Sequence, residues 1–218
     1  MLKRRGIVAL LPALVCAASV LGQDRDYLQR GEKELSADYQ IKYDRAVRHV
    51  LSRGWRKDVV VRMVDIPPFQ AEWVTGIART SGGYKAFEVT ASKHIWAELG
   101  FGMAEAERKK TDYHSIRPVL HERPISDALS TRIAALWHRV LADPKNYGKD
   151  PGIYLDTDQF TYHVSFLPHE RLTAYVVGWG PHTRQLIDVA SAVASHANGA
   201  PEADLIKAVK KAERKLGI

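Results

Sequence analysis

Cysteine is almost absent, since the 218-residue chain has only Cys16. That residue lies in a segment expected to be removed on export. The remaining chain can then form no internal disulfide and no thiolate metal site, and its stability must come from an apolar core. Motifs that would name a reaction are missing too. No Gly-x-Ser-x-Gly surrounds a serine, and the nine histidines show no His-Glu-x-x-His, His-x-His or four-apart pair. Neither a Gly-x-Gly-x-x-Gly nor a Gly-x-x-x-x-Gly-Lys phosphate loop occurs, and Gly82-Gly83 reads as a turn. These absences leave no nucleophile elbow, no zinc helix and no nucleotide cradle, so no metal and no cofactor is expected.

What is present begins at the N-terminus. Lys3, Arg4 and Arg5 precede an uncharged apolar stretch from Ile7 to Leu21, with small or modest side chains at Val20-Leu21-Gly22 and a sharp polar turn at Asp24, Arg25 and Asp26. This is the pattern of a secretory signal peptide over residues 1–22, cleaved before Gln23. An uncleaved anchor is the alternative, but fifteen apolar residues broken by Pro12 are short for a bilayer core of roughly 30 Å. Lipidation of Cys16 is disfavoured by Val15 before it. Removal of the three basic residues takes the net charge from +7 to +4. Charge so modest and so dispersed argues against a nucleic-acid partner. Residues 23–218 are long enough for one globular domain with a single core, and no transmembrane span is expected in them. Neither Asn146 nor Asn198 begins a glycosylation sequon, which together with the missing cysteines points to a bacterial periplasm or secreted location.

Hydrophobic spacing organises the rest. Tyr39, Tyr43, Ala46, Val47, Val50 and Leu51 recur at three and four residues, predicting a helix over 35–51 closed by Gly54. Val59 to Val64, Trp73 to Ala78 and Tyr84 to Ala91, separated by Pro67-Pro68 and Ser81-Gly82-Gly83, predict a three-stranded antiparallel meander. Residues 98–112 read as a short exposed helix or a loop, and 116–125, bounded by Pro118 and Pro124, as an edge strand. Ser126 is positioned to cap a helix whose stripe of Leu129, Ile133, Leu136, Trp137, Val140 and Leu141 stops at Asp143-Pro144. Strands follow at 153–155, 159–167 and 171–177. Leu186, Val189, Ala190, Val193 and Ala197 then mark another helix, and Pro201 opens the last one, acidic at its start and basic at its end. The fold class is α+β: a mostly antiparallel sheet, meander plus later hairpin, covered on one face by three to four helices.

Several residues are candidates for chemistry. His163, near Asp156 and Asp158, offers the raw material of general base catalysis, although Ser165 beside it lacks a motif that would activate it. A histidine satisfied inside the structure is the plainer reading. Arg123 and His121 share one face of the edge strand and could hold a small anion, while charge at an edge also guards against unwanted strand pairing. Trp179, between two glycines, could stack on a sugar or peptide or could plug the end of the core. The basic C-terminal helix could touch a membrane surface, though its apolar residues are few and a solvated face explains it equally.

The stretch from Asp156 to Trp179, with its Tyr162-His163 strand, hairpin and Gly-Trp-Gly-Pro corner, resembles the C-terminal part of uncharacterised exported bacterial proteins. The resemblance implies export and carries no activity. The expected function is that of a non-enzymatic periplasmic protein that binds a small ligand, a peptide or an envelope component. A cofactor-free hydrolase using the His163 and carboxylate pair is the first alternative, and an envelope assembly or structural factor the second.

Overall fold

Runs of β-branched and aromatic residues build seven strands in the computed structural model, which describes residues 28–31, 35, 37–100, 113–146, 159–167, 170–177 and 181–218. They are β1 Gln29–Arg30, β2 Val59–Ile66, β3 Trp73–Thr80, β4 Gly83–Ala91, β5 Pro118–Ile125, β6 Gln159–Leu167 and β7 Glu170–Val177. All join one sheet in the order β1-β7-β6-β2-β3-β4-β5, and every neighbouring pair is antiparallel. The expected meander is β2-β3-β4, and 118–125 extends it as the edge strand. The expected hairpin is β6-β7, which docks on the free side of β2. The expected leader at 1–22 and the strand at 153–155 lie outside the described residues, as does most of 98–112.

Among the described residues there are also five α-helices: α1 Asp38–Val50, α2 Ile95–Glu98, α3 Asp127–Ala142, α4 Pro181–Ala197 and α5 Glu202–Leu216. They cover both faces of the sheet rather than one. On the first face α3 lies over β6 and β7, α4 lies over β3 and β4, and α5 packs on α4. Their core includes Met63, Ile77, Ile133, Trp137, Tyr162 and Val189, with Trp137 edge-on to Tyr162 at 5.6 Å. On the second face Ala46, Val47 and Val50 of α1 pack with Val64, Val74, Phe87 and Val89. The physical reason is visible in β2, whose residues are buried almost without alternation. A nearly continuous apolar run of this kind belongs to a strand covered on both sides.

Two glycines permit close approaches. A Cβ at Gly76 would stand 1.9 Å from the Val61 carbonyl oxygen, beside the irregular register between Val59 and Val61. A Cβ at Gly54 would meet both Val74 methyls at 2.7 Å. Gly54 belongs to the single helical turn Ser52–Trp55 that follows α1, so it seats that turn on the sheet and does not itself close the helix.

The connection between α4 and α5 is tied to β5 by polar groups. Arg123 Nη1 donates to the Ala200 carbonyl at 2.8 Å, and the buried His196 ring lies 2.9 Å from that oxygen and 3.0 Å from the Pro124 carbonyl. Ser126 stands at the N-cap position of α3, but its hydroxyl donates to Glu202 Oε1 at 2.6 Å instead of capping its own helix. The bond therefore joins the starts of α3 and α5. Glu202 gains from it, since the Ser126 hydroxyl holds its carboxyl below the usual range.

Candidate ligand cavity

Thirteen residues of α1 cannot cover seven strands. Between α1 and strands β2, β6 and β7 lies a cavity of about 600 Å³. Strand register sets out the sheet around it in rows, of which Arg62, Val64, Ile66, Gln159, Thr161 and Tyr175 line the cavity. Arg62 faces His163 and then Thr173, Val64 faces Thr161 and then Tyr175, and Ile66 faces Gln159 and then Val177. Alternation turns these side chains toward α1, because Met63, Tyr162 and Ala174 between them belong to the opposite core.

One end of the cavity is basic. Arg62 is 7 % exposed and its Nη1 donates to the Gly54 carbonyl at 3.1 Å. Its guanidinium carbon lies 4.8 Å from the Trp55 ring centroid, and that of Arg48 lies 5.5 Å from the same centroid. Arg48 also pairs with Asp44 one turn back along α1, at 2.8 Å. Trp55 thus gathers two guanidinium groups, an arrangement that cation–π attraction favours.

The other end is aromatic and apolar. Trp96 meets Tyr43 and Tyr39 edge to face at 5.0 and 6.0 Å, and Ile66, Pro67 and Phe69 continue the wall. The fully buried Glu72 fixes this corner. It accepts from the Tyr43 hydroxyl at 2.6 Å, from the Ile95 N–H at 2.7 Å and from the Trp96 N–H at 3.2 Å, with His94 Nε2 3.6 Å away. Burial, reinforced by the neighbouring Glu72 carboxylate, pushes the Tyr43 hydroxyl far above its ordinary range. Tyr43 therefore remains a neutral donor.

Of the residues singled out from sequence, His163, Arg123 and His121 are described, the first on β6 and the other two on β5. His163 lies on β6 beside Arg62, with Nδ1 3.1 Å from Thr173 Oγ1. Arg123 and His121 stand on β5 at the far edge, on the face covered by α4: Arg123 bonds the α4–α5 connection, and His121 is exposed opposite Glu88, which bonds Asn198. Asp156, Asp158 and Trp179 lie outside the described residues. Sequence reasoning passed over Arg62, Trp55, Tyr43 and Glu72. Arg62 carried a signal, being the single charge in the run Val59 to Val64. Glu72 carried none, since nothing near it in sequence marks its distant partners.

Among the described residues no group of histidines, cysteines and carboxylates could hold a metal ion, and no helix is long and apolar enough to cross a membrane. Comparison with family models, curated proteins and solved structures finds no match to this chain.

Proposed function

We propose that the protein is an exported, non-enzymatic binding protein that holds a small ligand in the cavity beneath α1. The observation that carries this reading is the cavity itself. Its volume of about 600 Å³ falls in the range typical of small-molecule sites, and apolar and aromatic walls surround a few fixed polar groups. Those groups are anchored independently of any ligand: Arg62 by Gly54 and Trp55, and Tyr43 by Glu72. Such pre-organisation lowers the ordering cost of binding. Export is supported by Lys3 to Arg5 ahead of the apolar stretch from Ile7 to Leu21.

The test is a thermal-shift screen of the purified protein against sugars, short peptides, acyl lipids and organic acids, run beside Thr161→Trp. Thr161 lies in the middle of the floor, so the indole fills the cavity. A rise of several degrees with one class, lost in Thr161→Trp while circular dichroism stays unchanged, is the expected result. No shift with any class, or equal shifts in both proteins, overturns the reading. Mass spectrometry of the chain recovered from the cell envelope checks export separately, with a mature terminus at Gln23 expected.

A further inference from the structure

The cavity is polar at one end and apolar at the other, and the distance between its ends is set by a strand. Arg62 and Ile66 are four residues apart on β2, roughly 13 Å along a strand, which matches an extended chain of about ten carbons. At the Arg62 end the described wall carries two guanidinium groups, those of Arg48 and Arg62, and one carboxylate, Asp44. At the Ile66 end stand Pro67, Phe69 and Trp96.

Resting on the reading above, we infer that the ligand is an amphipathic anion. Its acidic group, a carboxylate or phosphate, lies at Arg48 and Arg62, and its apolar body runs along α1 to Trp96 and Pro67. Guanidinium groups match carboxylate and phosphate oxygens through paired N–H donors, and the indole of Trp55 holds both forks at the same end. Thr161 and Tyr175, in the middle row, line the path between the two ends. A cationic ligand fits less well. Trp96 meets Tyr39 and Tyr43 at interplanar angles of 82° and 88°, so these three rings pack against one another instead of opening as a cage around a positive charge.

Isothermal titration calorimetry with three ten-carbon probes, decanoate, 1-decanol and decyltrimethylammonium, tests the inference below their aggregation concentrations. Decanoate is expected to bind at least tenfold more tightly than decanol, with the advantage shrinking as salt is added and the ammonium probe binding weakest. Arg62 is buried and its replacement could unfold the protein, so the decisive variants are Arg48→Gln and Asp44→Asn, both partly exposed on α1 at the mouth of the cavity. Arg48→Gln is expected to cut the advantage of decanoate at least threefold, and Asp44→Asn to raise it. If decanol or the ammonium probe binds as tightly as decanoate and Thr161→Trp abolishes both, the anion assignment falls and the cavity reading stands. The same holds if none of the three binds while a sugar or peptide shifts the melting temperature. If nothing binds in either experiment, both fall.

Discussion

The two faces of the sheet share their strands and differ in how they are covered. One face carries α3, α4 and α5, of 16, 17 and 15 residues, and its core joins Trp137, Tyr162, Ile133, Leu186 and Leu205, all at most 1 % exposed. The other carries α1, of 13 residues, and the four-residue α2. There the apolar core stops at β2 to β4, and the floor beyond it is the cavity with its guanidinium groups and hydroxyls. The difference shows how a small protein can be stable and still keep room for a ligand. Stability rests on the fully covered face, and on the thinly covered face the buried Glu72 and the Arg62 guanidinium are held by specific partners. The fixed polar groups of the thin face, Glu72 and Arg62, are tied to backbone.

That division can be broken first at the covered face. Trp137→Ala removes a side chain that is 1 % exposed and meets Tyr162 edge to face, and is expected to cost about 3–5 kcal/mol by urea unfolding. A cost below about 1 kcal/mol would show that this face repacks freely and is no rigid platform.

The thin face is expected to respond differently. Glu72→Ala leaves the Tyr43 hydroxyl and the Ile95 and Trp96 N–H groups without their acceptor and is expected to cost about 2–3 kcal/mol. It should also release Trp96, so its fluorescence should shift toward the solvent-exposed value, and ligand shifts in the thermal screen should weaken. Lost stability with Trp96 emission and ligand shifts unchanged would separate Glu72 from the cavity wall.

How much of this was legible follows the same division. The covered face was written in periodic stripes, such as Leu129 to Leu141 and Leu186 to Ala197, which require only helix spacing to read. The meander, the hairpin and the edge strand at 118–125 were equally local. Coverage of both faces was encoded in the nearly continuous apolar run at Val59 to Val64, but such a run does not say which helix lies over it. The cavity was not legible, because its members come from α1, the turn after it, β2, the β2–β3 loop, α2, β6 and β7, and only the register brings Arg62 beside His163 and Val64 beside Thr161. Arg123 was conspicuous as charge on an edge strand, but its bond to the Ala200 carbonyl joins residues 77 apart and no local pattern announces it.

A subtler probe of the thin face is Tyr43→Phe, which removes one hydrogen bond to Glu72 and is expected to cost about 1 kcal/mol at neutral pH. The pH dependence has a definite sign. The folded protein holds the Tyr43 hydroxyl protonated well above its ordinary range, so its contribution is intact below about pH 10 and declines as the unfolded chain begins to lose that proton. The urea midpoint of the wild type should therefore fall more steeply above pH 10 than that of Tyr43→Phe. Parallel declines in the two proteins would show that Tyr43 ionises as freely when folded as when unfolded.

The smallest effect is expected at the surface of the covered face, where Glu202 ties α5 to the start of α3. Its carboxyl is held below the usual range chiefly by the Ser126 hydroxyl, so the charged form is the one the fold favours. For a group lowered in this way the contribution is present above the unfolded value, near pH 4.3, and is lost as pH falls through the lower folded value. Because Glu202 is largely open to solvent, the contribution is expected to be roughly 0.5 kcal/mol at pH 7. Wild type and Glu202→Gln should accordingly differ in urea midpoint at pH 7 and converge near pH 2. Convergence at both pH values would mean that α5 is docked by its apolar stripe of Leu205, Val209 and Ala212 alone, and that the Ser126–Glu202 bond sets only the direction in which the helix starts.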